Sequence, residues 1–437
     1  MPSTSRIGPA AILLERVWSE LAGDDDSVPP GSVADRRVPL PSRLAVGELA
    51  SASVSAAALA AGIRVAPDPS RIALSYRSDR LLTIGAAAPD VWSPLSGFWR
   101  SRDGWVRTHG NYPHHARGLL AALGVTGDPE LVRAALAERT SAEAITAITA
   151  TGGLAVTVAP EDDAHDAALR TTPLLGVQRI EATRAESTRP LQAGLPLTGF
   201  RVLDLTRVIA GPVCTRTLAL LGADVLRIDP PEPPEPEWQH LDTGHGKRSA
   251  VLDARSPVMH ELLDRADAVV LGYRPAALGR LGLDPATIAE RHPGLVIAQL
   301  SAWGVEHPDR AGFDSLVQAE SGIALVESPD GERPGVLPAQ ALDHSAGYLL
   351  AASVVRLLDR RSREGGTWHV STSLRRIAAE LLGMPRRSQP DTEIDIDPAP
   401  HIATFRVGSR TLTTARPALP GLEFRAPRPW GADQPRW

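Results

Sequence analysis

The chain is poor in cysteine and in aromatic residues. Cys214 is its single cysteine, which excludes an internal disulfide and leaves no cysteine spacing typical of a metal site. Aromatic residues make up 4% of the 437 residues, and no run of 18 or more apolar residues predicts a membrane span. A net charge of -5 lacks the basic excess of nucleic-acid-binding domains. Because no basic-then-apolar signal segment is visible either, we expect a cytoplasmic protein that binds neither nucleic acid, membrane nor metal.

Lysine is almost absent as well, because the 46 basic residues include a single lysine, Lys247. Lys247 lies in the segment GKRS at 246–249, between two apolar runs that are typical of strands. An ammonium is a compact charge suited to a phosphate, whereas arginine offers a planar fork. Lys247 is therefore a candidate phosphate ligand, and the chance placement of one lysine is the alternative.

Predicted strands and helices alternate from residue 200 onward. Residues 200–229 predict a strand, a Gly-Pro turn, an amphipathic helix and a second strand. Further strands are predicted at 249–253, 268–271 and 295–300, with helices at 257–265 and 286–291. This alternation predicts an α/β fold with a doubly wound, Rossmann-like parallel sheet, whose ligands lie at the carboxyl ends of the strands.

Two nucleotide-binding signatures are missing from this segment. The turn at 206–212 contains no Gly-x-Gly-x-x-Gly, and the segment at 246–249 lacks the earlier glycine of a phosphate-binding loop of the Walker type. The loops that follow the strands carry basic residues instead. Each of these is either a ligand-binding group or a solvated surface charge.

Six segments occur in a characteristic order. They are VLDLTRVIAGP at 202–212, LGADVLRID at 221–229, KRSAVLD at 247–253, GYRPAALGRLGL at 272–283, GFDSLVQA at 312–319 and ALDHSAGYLLAA at 341–352. Together they make residues 196–382 similar to the class III CoA-transferases. This family contains formyl-CoA transferase and shares its fold with α-methylacyl-CoA racemase.

The resemblance implies that Asp343 is the catalytic nucleophile. In the family, the aspartate attacks an acyl-CoA thioester to give a mixed anhydride, which the released CoA thiolate converts to an aspartyl-CoA thioester. A carboxylate is a weak nucleophile, so it must be held, partly desolvated, beside the thioester carbon. Asp343 also precedes an apolar run at 348–358 that predicts a buried helix. Capping of that helix is therefore the alternative role.

The resemblance also implies the contacts with coenzyme A. The residues that match CoA-binding positions of the family are Val208, Ala210, Leu252, Arg255, Tyr273 and Arg280. Coenzyme A is expected as a substrate rather than a tightly bound cofactor, with an acyl-CoA and a small carboxylic acid as partners and a homodimer as the assembly. The Pro- and Glu-rich segment 230–237 departs from the family, because a basic residue often stands there.

Four regions are predicted along the chain. Residues 1–65 form an N-terminal helical and linker segment, 66–190 a small α+β domain, 196–385 the CoA-binding large domain and 386–437 an irregular tail. The small domain resembles the one that follows the large domain in the family, since it contains DGWVRTHGNY at 103–112. In this chain it precedes the large domain.

Three functions are compatible with these residues. They are a class III acyl-CoA:carboxylate CoA-transferase, a catalytically degenerate CoA-binding homologue and an acyl-CoA racemase or epimerase. The racemase reaction requires two bases across the α carbon, and the histidine of its Gly-His-Asp motif is replaced by Phe313, which cannot accept a proton. The altered domain order and a missing glycine-rich loop keep the degenerate homologue open, and the identity of the acyl group and of the acceptor acid is open too.

Overall fold

A computed structural model describes residues 8–22, 27–180 and 189–437. Residues 1–7 of the predicted N-terminal segment, 23–26 and 181–188 lie outside the described residues. The helices are α1 Pro9–Ala22, α2 Val46–Ala60, α3 Pro69–Tyr76, α4 Ser78–Leu81, α5 Pro113–Leu123, α6 Pro129–Ala137, α7 Ser141–Ala150, α8 Asp163–Arg170, α9 Ala210–Leu220, α10 Glu237–Thr243, α11 Val258–Leu263, α12 Pro275–Arg280, α13 Pro285–Arg291, α14 Asp314–Glu320, α15 Ile323–Val326, α16 Ala341–Glu364 and α17 Leu374–Gly383. The strands are β1 Thr83–Ile84, β2 Phe98–Arg100, β3 Trp105–Thr108, β4 Ala155–Thr157, β5 Gly176–Ile180, β6 Arg201–Leu205, β7 Asp224–Asp229, β8 Arg248–Val251, β9 Ala268–Leu271, β10 Val296–Ser301, β11 Thr367–Ser373, β12 Ile402–Val407 and β13 Arg410–Ala415.

A seven-stranded sheet forms the centre of the fold, in the order β5-β11-β10-β9-β6-β7-β8. Strands β6 to β11 pair in parallel, and β5 is antiparallel to β11 at one edge. Strand β9 has the sequence AVVL and is buried throughout, as expected of a strand covered on both faces. The α/β class predicted from the alternation of strands and helices is confirmed, while the doubly wound topology stays a prediction.

Both faces of the central sheet are covered by apolar side chains. Val202 and Val270 belong to one buried cluster, whereas their neighbours Leu203 and Val269 belong to another. This partition follows from strand geometry, because successive side chains point to opposite faces. The sheet therefore exposes its loops rather than its faces.

Helix α16 is the longest helix among the described residues and packs on α2 and α9. Gly347 permits the approach to α9, because a Cβ at this position would lie 2.7 Å from the Ala210 carbonyl oxygen and 2.7 Å from the Val213 Cβ. No helix within the described ranges is long and apolar enough to cross a membrane.

A smaller antiparallel sheet, in the order β2-β3-β4, packs with α5, α6 and α7. The capping box of α7 is present, with the Thr140 and Glu143 side chains each bonded to the backbone of the other. Strand β5, within the predicted small domain, pairs instead with β11 of the central sheet. The predicted domain boundaries stay predictions.

The prediction of an irregular tail at 386–437 is wrong for its central part. Strands β12 and β13 form an antiparallel hairpin around Gly408, and β1 extends it to three strands. Val407 and Leu412 are buried with Leu82 and Leu241 in a separate apolar cluster. The partners of this hairpin lie far away in sequence. The local pattern before it is rich in Pro and Asp, and it therefore did not predict the two strands.

Candidate active site

A cleft opens at the edge where the parallel strands of the central sheet end. The loop after β6 and the first turns of α14 and α16 form its inner wall, while α10 and residues 76–111 close the other side. Its lining includes Tyr76, Asp79, Val91, Trp92, His109, Asn111, Val208, Ile209, Trp238, Gln239, Asp242, Phe313, Asp314, Gln340, Asp343 and His344. The location agrees with the rule that ligands of α/β sheets bind at the carboxyl ends of the strands.

Asp343 is the third residue of α16 and is 6% exposed. It is not the N-cap, which is Gln340 and makes no side-chain capping bond. The Asp343 N–H instead donates a hydrogen bond of 2.9 Å to Oδ2 of Asp314. The helix terminus is therefore satisfied by Asp314 from α14, and the Asp343 side chain lines the cleft.

The two aspartates perturb each other. Burial raises the pKa of Asp343 well above its ordinary value, and the negative charge of Asp314 raises it further. Burial also raises the pKa of Asp314, to about 6, although Asp314 accepts hydrogen bonds from Asp343, Gln318 and Leu342. The Gln318 bond joins Nε2 to Oδ1 of Asp314 at 2.5 Å. The pair consequently keeps a proton to a higher pH than an exposed aspartate does.

The loop after β6 carries local backbone strain. Val208 has a φ of 72°, which is rare for a β-branched residue and concentrates at functional sites. Glu235 holds the loop, because its Oε1 accepts the Val208 N–H at 3.1 Å and its Oε2 accepts Nε of Arg207 at 2.7 Å. Oε2 also lies 3.2 Å from Nη2 of the buried Arg227. Glu235 thus gives the Pro- and Glu-rich segment a structural role that the sequence interpretation did not assign.

The prediction that Lys247 contacts a phosphate is contradicted by its surroundings. The Lys247 side chain is buried, and Nζ donates to Asp204 Oδ2 at 3.0 Å, Thr215 Oγ1 at 2.6 Å and the Pro212 carbonyl at 2.9 Å. These three bonds use all three donors of an ammonium. Lys247 therefore ties β8 to β6 and α9 in an internal ion pair instead of facing a ligand.

The remaining predicted CoA contacts lie along the same edge of the sheet but not together. Val208 lines the cleft, and Ala210 is buried at the start of α9. The half-buried Leu252 and the exposed Arg255 follow β8, while Tyr273 and Arg280 follow β9. Arg255 lies 3.6 Å from Asp253, and Arg280 lies 3.0 Å from Asp309. The structure does not bring these four residues into the cleft that contains Asp343.

Burial raises the pKa of Tyr273, whose hydroxyl is buried and has no hydrogen-bond partner among the described residues. A buried hydroxyl without a partner is uncommon. This orphaned group is one feature of the loop after β9 that suits an incoming polar ligand.

Sequence reasoning missed the aromatic side of the cleft. The His109 ring stacks on Phe313, with a centroid distance of 3.7 Å and an interplanar angle of 5°. Burial lowers the pKa of His109 to about 3, so its imidazole is neutral at physiological pH. His109 lies in the segment DGWVRTHGNY, and Trp92 and Trp238 stand outside every quoted motif. Local patterns could not show that these three residues line one cleft with Phe313.

The segment that contains strands β6 to β11 of the central sheet matches a known family. CoA-transferase family III matches residues 197–392. The predicted resemblance of this segment to the class III CoA-transferases is confirmed.

Two curated proteins are similar to part of this chain. The chain is 33% identical over 207 residues to the probable fatty acyl-CoA transferase Rv3272 of Mycobacterium tuberculosis, covering 43% of this chain and 52% of that protein. It is 29% identical over 210 residues to the formyl-CoA:oxalate CoA-transferase of Bradyrhizobium diazoefficiens, covering 44% and 49%. The chain thus spans about half the length of the curated relatives it matches.

Among solved structures, the orthorhombic crystal form of Rv3272 from M. tuberculosis is similar to the family III segment. The TM-score is 0.40 at 32% identity, covering 43% of this chain and 56% of that one. Within the described ranges, no group of three or more His, Cys, Asp or Glu residues could hold a metal ion.

Proposed function

We propose that this protein is a class III CoA-transferase that moves coenzyme A between an acyl-CoA and a carboxylic acid through Asp343. The observation that carries the proposal is the buried Asp343 carboxylate, which lines the cleft while Asp314 satisfies the helix terminus. Membership of residues 197–392 in CoA-transferase family III supports the same chemistry. The matched relatives include fatty acyl-CoA and formyl-CoA:oxalate transferases by name.

The reaction balances around one carboxylate. Asp343 attacks the thioester carbonyl, forming a C–O bond while the C–S bond breaks, and CoA leaves as a thiolate. The thiolate attacks the Asp343 carbonyl of the anhydride and releases the first acid. An acceptor carboxylate then attacks the aspartyl-CoA thioester and expels the thiolate, which attacks the acceptor acyl group and restores the Asp343 carboxylate. No metal or redox partner is needed at any step.

The site supplies two of the conditions for this sequence. Burial removes water from the Asp343 carboxylate, which strengthens its reaction with a bound thioester. Asp314 fixes the first turn of α16 and thereby the direction of Asp343. We further propose that the CoA tail follows the loops after β8 and β9, where Arg255, Tyr273 and Arg280 lie. We also propose that the protein is a homodimer in which the small domain precedes the large domain.

The test is the variant Asp343→Asn, because an amide cannot form the anhydride. We expect a folded protein that still binds CoA and loses turnover by at least about three orders of magnitude. After incubation of the wild-type protein with acyl-CoA and hydroxylamine, mass spectrometry should show modification at Asp343. Asp359→Asn, on the same helix but in the ion pair with Arg363, is the matched control. Retained turnover in Asp343→Asn would end this proposal.

A second candidate, an acyl-CoA epimerase, is favoured by His109. The stack on Phe313 brings a neutral imidazole into the cleft that Asp343 also lines, although residue 313 itself cannot accept a proton. Proton exchange at an α carbon requires two bases on one cleft, and the lowered pKa of His109 makes it a weak one. Incubation of a 2-methylacyl-CoA in D2O separates the two functions, since an epimerase incorporates deuterium without an acceptor acid.

A further inference from the structure

We infer that the acyl group accepted beside Asp343 is an apolar monocarboxylic acid chain rather than a dicarboxylic acid. This inference rests on the proposed CoA-transferase function and adds to it the substrate class. It depends on two features of the cleft, an apolar wall and a set of carboxylates, that are independent of the match to the family.

The apolar wall continues from the buried end of the cleft to its mouth. Val91, Trp92, Trp238 and Phe313 line the cavity next to Asp343 and also the adjoining cavity that leads outward. Trp92 is 41% exposed, so part of its ring is in contact with solvent. Such a surface is stabilised when an alkyl chain covers it.

The charged groups on the cleft are carboxylates. Asp79 and Asp242 line it together with Asp314 and Asp343. Burial raises the pKa of Asp79, and the charge of Asp242 raises it further. A second carboxylate on the substrate would be repelled by this set, whereas an alkyl chain would not.

The cations near the cleft are engaged with protein groups, and Arg216 lies 3.9 Å from the lining residue Asp242. The Arg107 guanidinium lies over the rings of Trp92 and Phe98, at 5.4 and 4.7 Å from their centroids. Arg207 is held by Glu235 at 2.7 Å. Among the described residues that line the two cavities there is no lysine or arginine. A distal carboxylate would therefore gain no charge-assisted bond from a lysine or arginine in these two cavities.

The test uses CoA thioethers, which bind without turnover. S-hexyl-CoA, S-butyl-CoA and S-(5-carboxypentyl)-CoA are compared by isothermal titration calorimetry on the wild-type protein. Each buried methylene is expected to tighten binding about fourfold, so S-hexyl-CoA should bind more than tenfold tighter than S-butyl-CoA. The carboxypentyl compound should bind at least about tenfold more weakly than S-hexyl-CoA. Equal or tighter binding of the carboxypentyl compound would overturn the inference.

Two variants test which residues cause the preference for an alkyl chain. Trp238→Ala should remove most of the advantage of S-hexyl-CoA over S-butyl-CoA, and Val91→Arg should improve binding of the carboxypentyl compound. Trp430→Ala, which removes a tryptophan outside both cavities, is the control. Unchanged ranking in both cleft variants would contradict the inference. If Trp238→Ala proves unstable, unchanged binding of the carboxypentyl compound to Val91→Arg contradicts it alone.

Free acids separate this inference from the proposed function. Hexanoate and adipate are titrated while tryptophan fluorescence is recorded. If hexanoate binds more tightly than adipate but Asp343→Asn keeps its turnover, the apolar site stands and the transferase mechanism fails. If the Asp343 test succeeds and adipate binds as tightly as hexanoate, the substrate class is wrong and the transferase function stands.

Discussion

Asp314 and Asp343 are 29 positions apart in sequence and meet at the first turn of α16. A buried carboxyl beside a second carboxylate is a poor nucleophile while protonated, and a reactive one once ionised. The same burial that desolvates Asp343 therefore sets the pH range in which it can work.

The pH dependence of turnover follows from the sign of this shift. Because the pKa of Asp343 is raised, its ionised fraction falls as pH falls, and turnover should decline on the acid side well above pH 4. Asp314→Asn removes the neighbouring charge, so it should lower the pKa of Asp343 and move the acid limb to lower pH. The measurement is the pH profile of kcat/KM, with Glu320→Gln on the same helix as control. An unmoved acid limb in Asp314→Asn would show that the two carboxyls do not interact.

We expect Lys247 to stabilise the fold through its buried ion pair with Asp204. Lys247→Met leaves the Asp204 carboxylate buried without its cation, which should lower the free energy of unfolding by about 3–5 kcal/mol. The double variant Asp204→Asn, Lys247→Met should recover part of this loss, since no buried charge remains unpaired. Urea unfolding measures both. A single variant with wild-type stability and salt-dependent loss of CoA affinity would restore the phosphate role.

At the scale of elements, the contact of α9 with α16 positions the cleft. Helix α9 follows the strained loop at Val208, and α16 carries Asp343, so a change in their spacing alters both walls. At Gly347 the two helices pack too closely for a side chain, because its missing Cβ leaves room for the Ala210 carbonyl.

Gly347→Ala should separate the two helices. Overpacking of a core contact typically costs about 1–3 kcal/mol, and here the displaced groups include the loop that lines the cleft. We expect a lower melting temperature together with reduced turnover. Gly279→Ala, in α12 with no atom within 4 Å of the added Cβ, is the matched control and should be neutral or slightly stabilising. Wild-type turnover in Gly347→Ala would mean that the spacing of the helices does not affect the site.

At the scale of the whole molecule, the net charge of -5 opposes the approach of an anionic ligand such as CoA. Attraction must therefore come from local cations at the sheet edge. Arg280 is exposed, and its side chain is paired with Asp309, which is itself 73% exposed. Because such an exposed ion pair is weak, a phosphate can replace Asp309 as the partner of Arg280.

Arg280→Ala should weaken CoA binding, and the loss should shrink as salt rises because screening already weakens the wild-type contact. Arg333→Ala removes another exposed arginine that is paired with an aspartate, Asp330, and serves as control. Calorimetric titration at low and high salt is the measurement. Equal affinities of Arg280→Ala and wild type at low salt would remove Arg280 from the CoA site.

The α/β class, the core of the central sheet and the resemblance of residues 197–392 to CoA-transferase family III can be predicted from the sequence. These properties depend on contiguous stretches of the sequence. AVVL predicts the buried strand β9, and the apolar run at 348–358 predicts the buried part of α16. Asp343 was identified in the same way, from a motif around a single residue.

The surroundings of these elements depend on tertiary packing. Lys247 meets Asp204 across 43 positions, Glu235 reaches the loop at Val208 across 27, and His109 stacks on Phe313 from another part of the chain. The hairpin of β12 and β13 likewise depends on β1. Burial and charge pairing are properties of the packed molecule, since a side chain is desolvated by residues that its own segment does not contain. The sequence could therefore indicate the proposed nucleophile, whereas the residues that alter its pKa and the apolar residues beside it are brought together by packing.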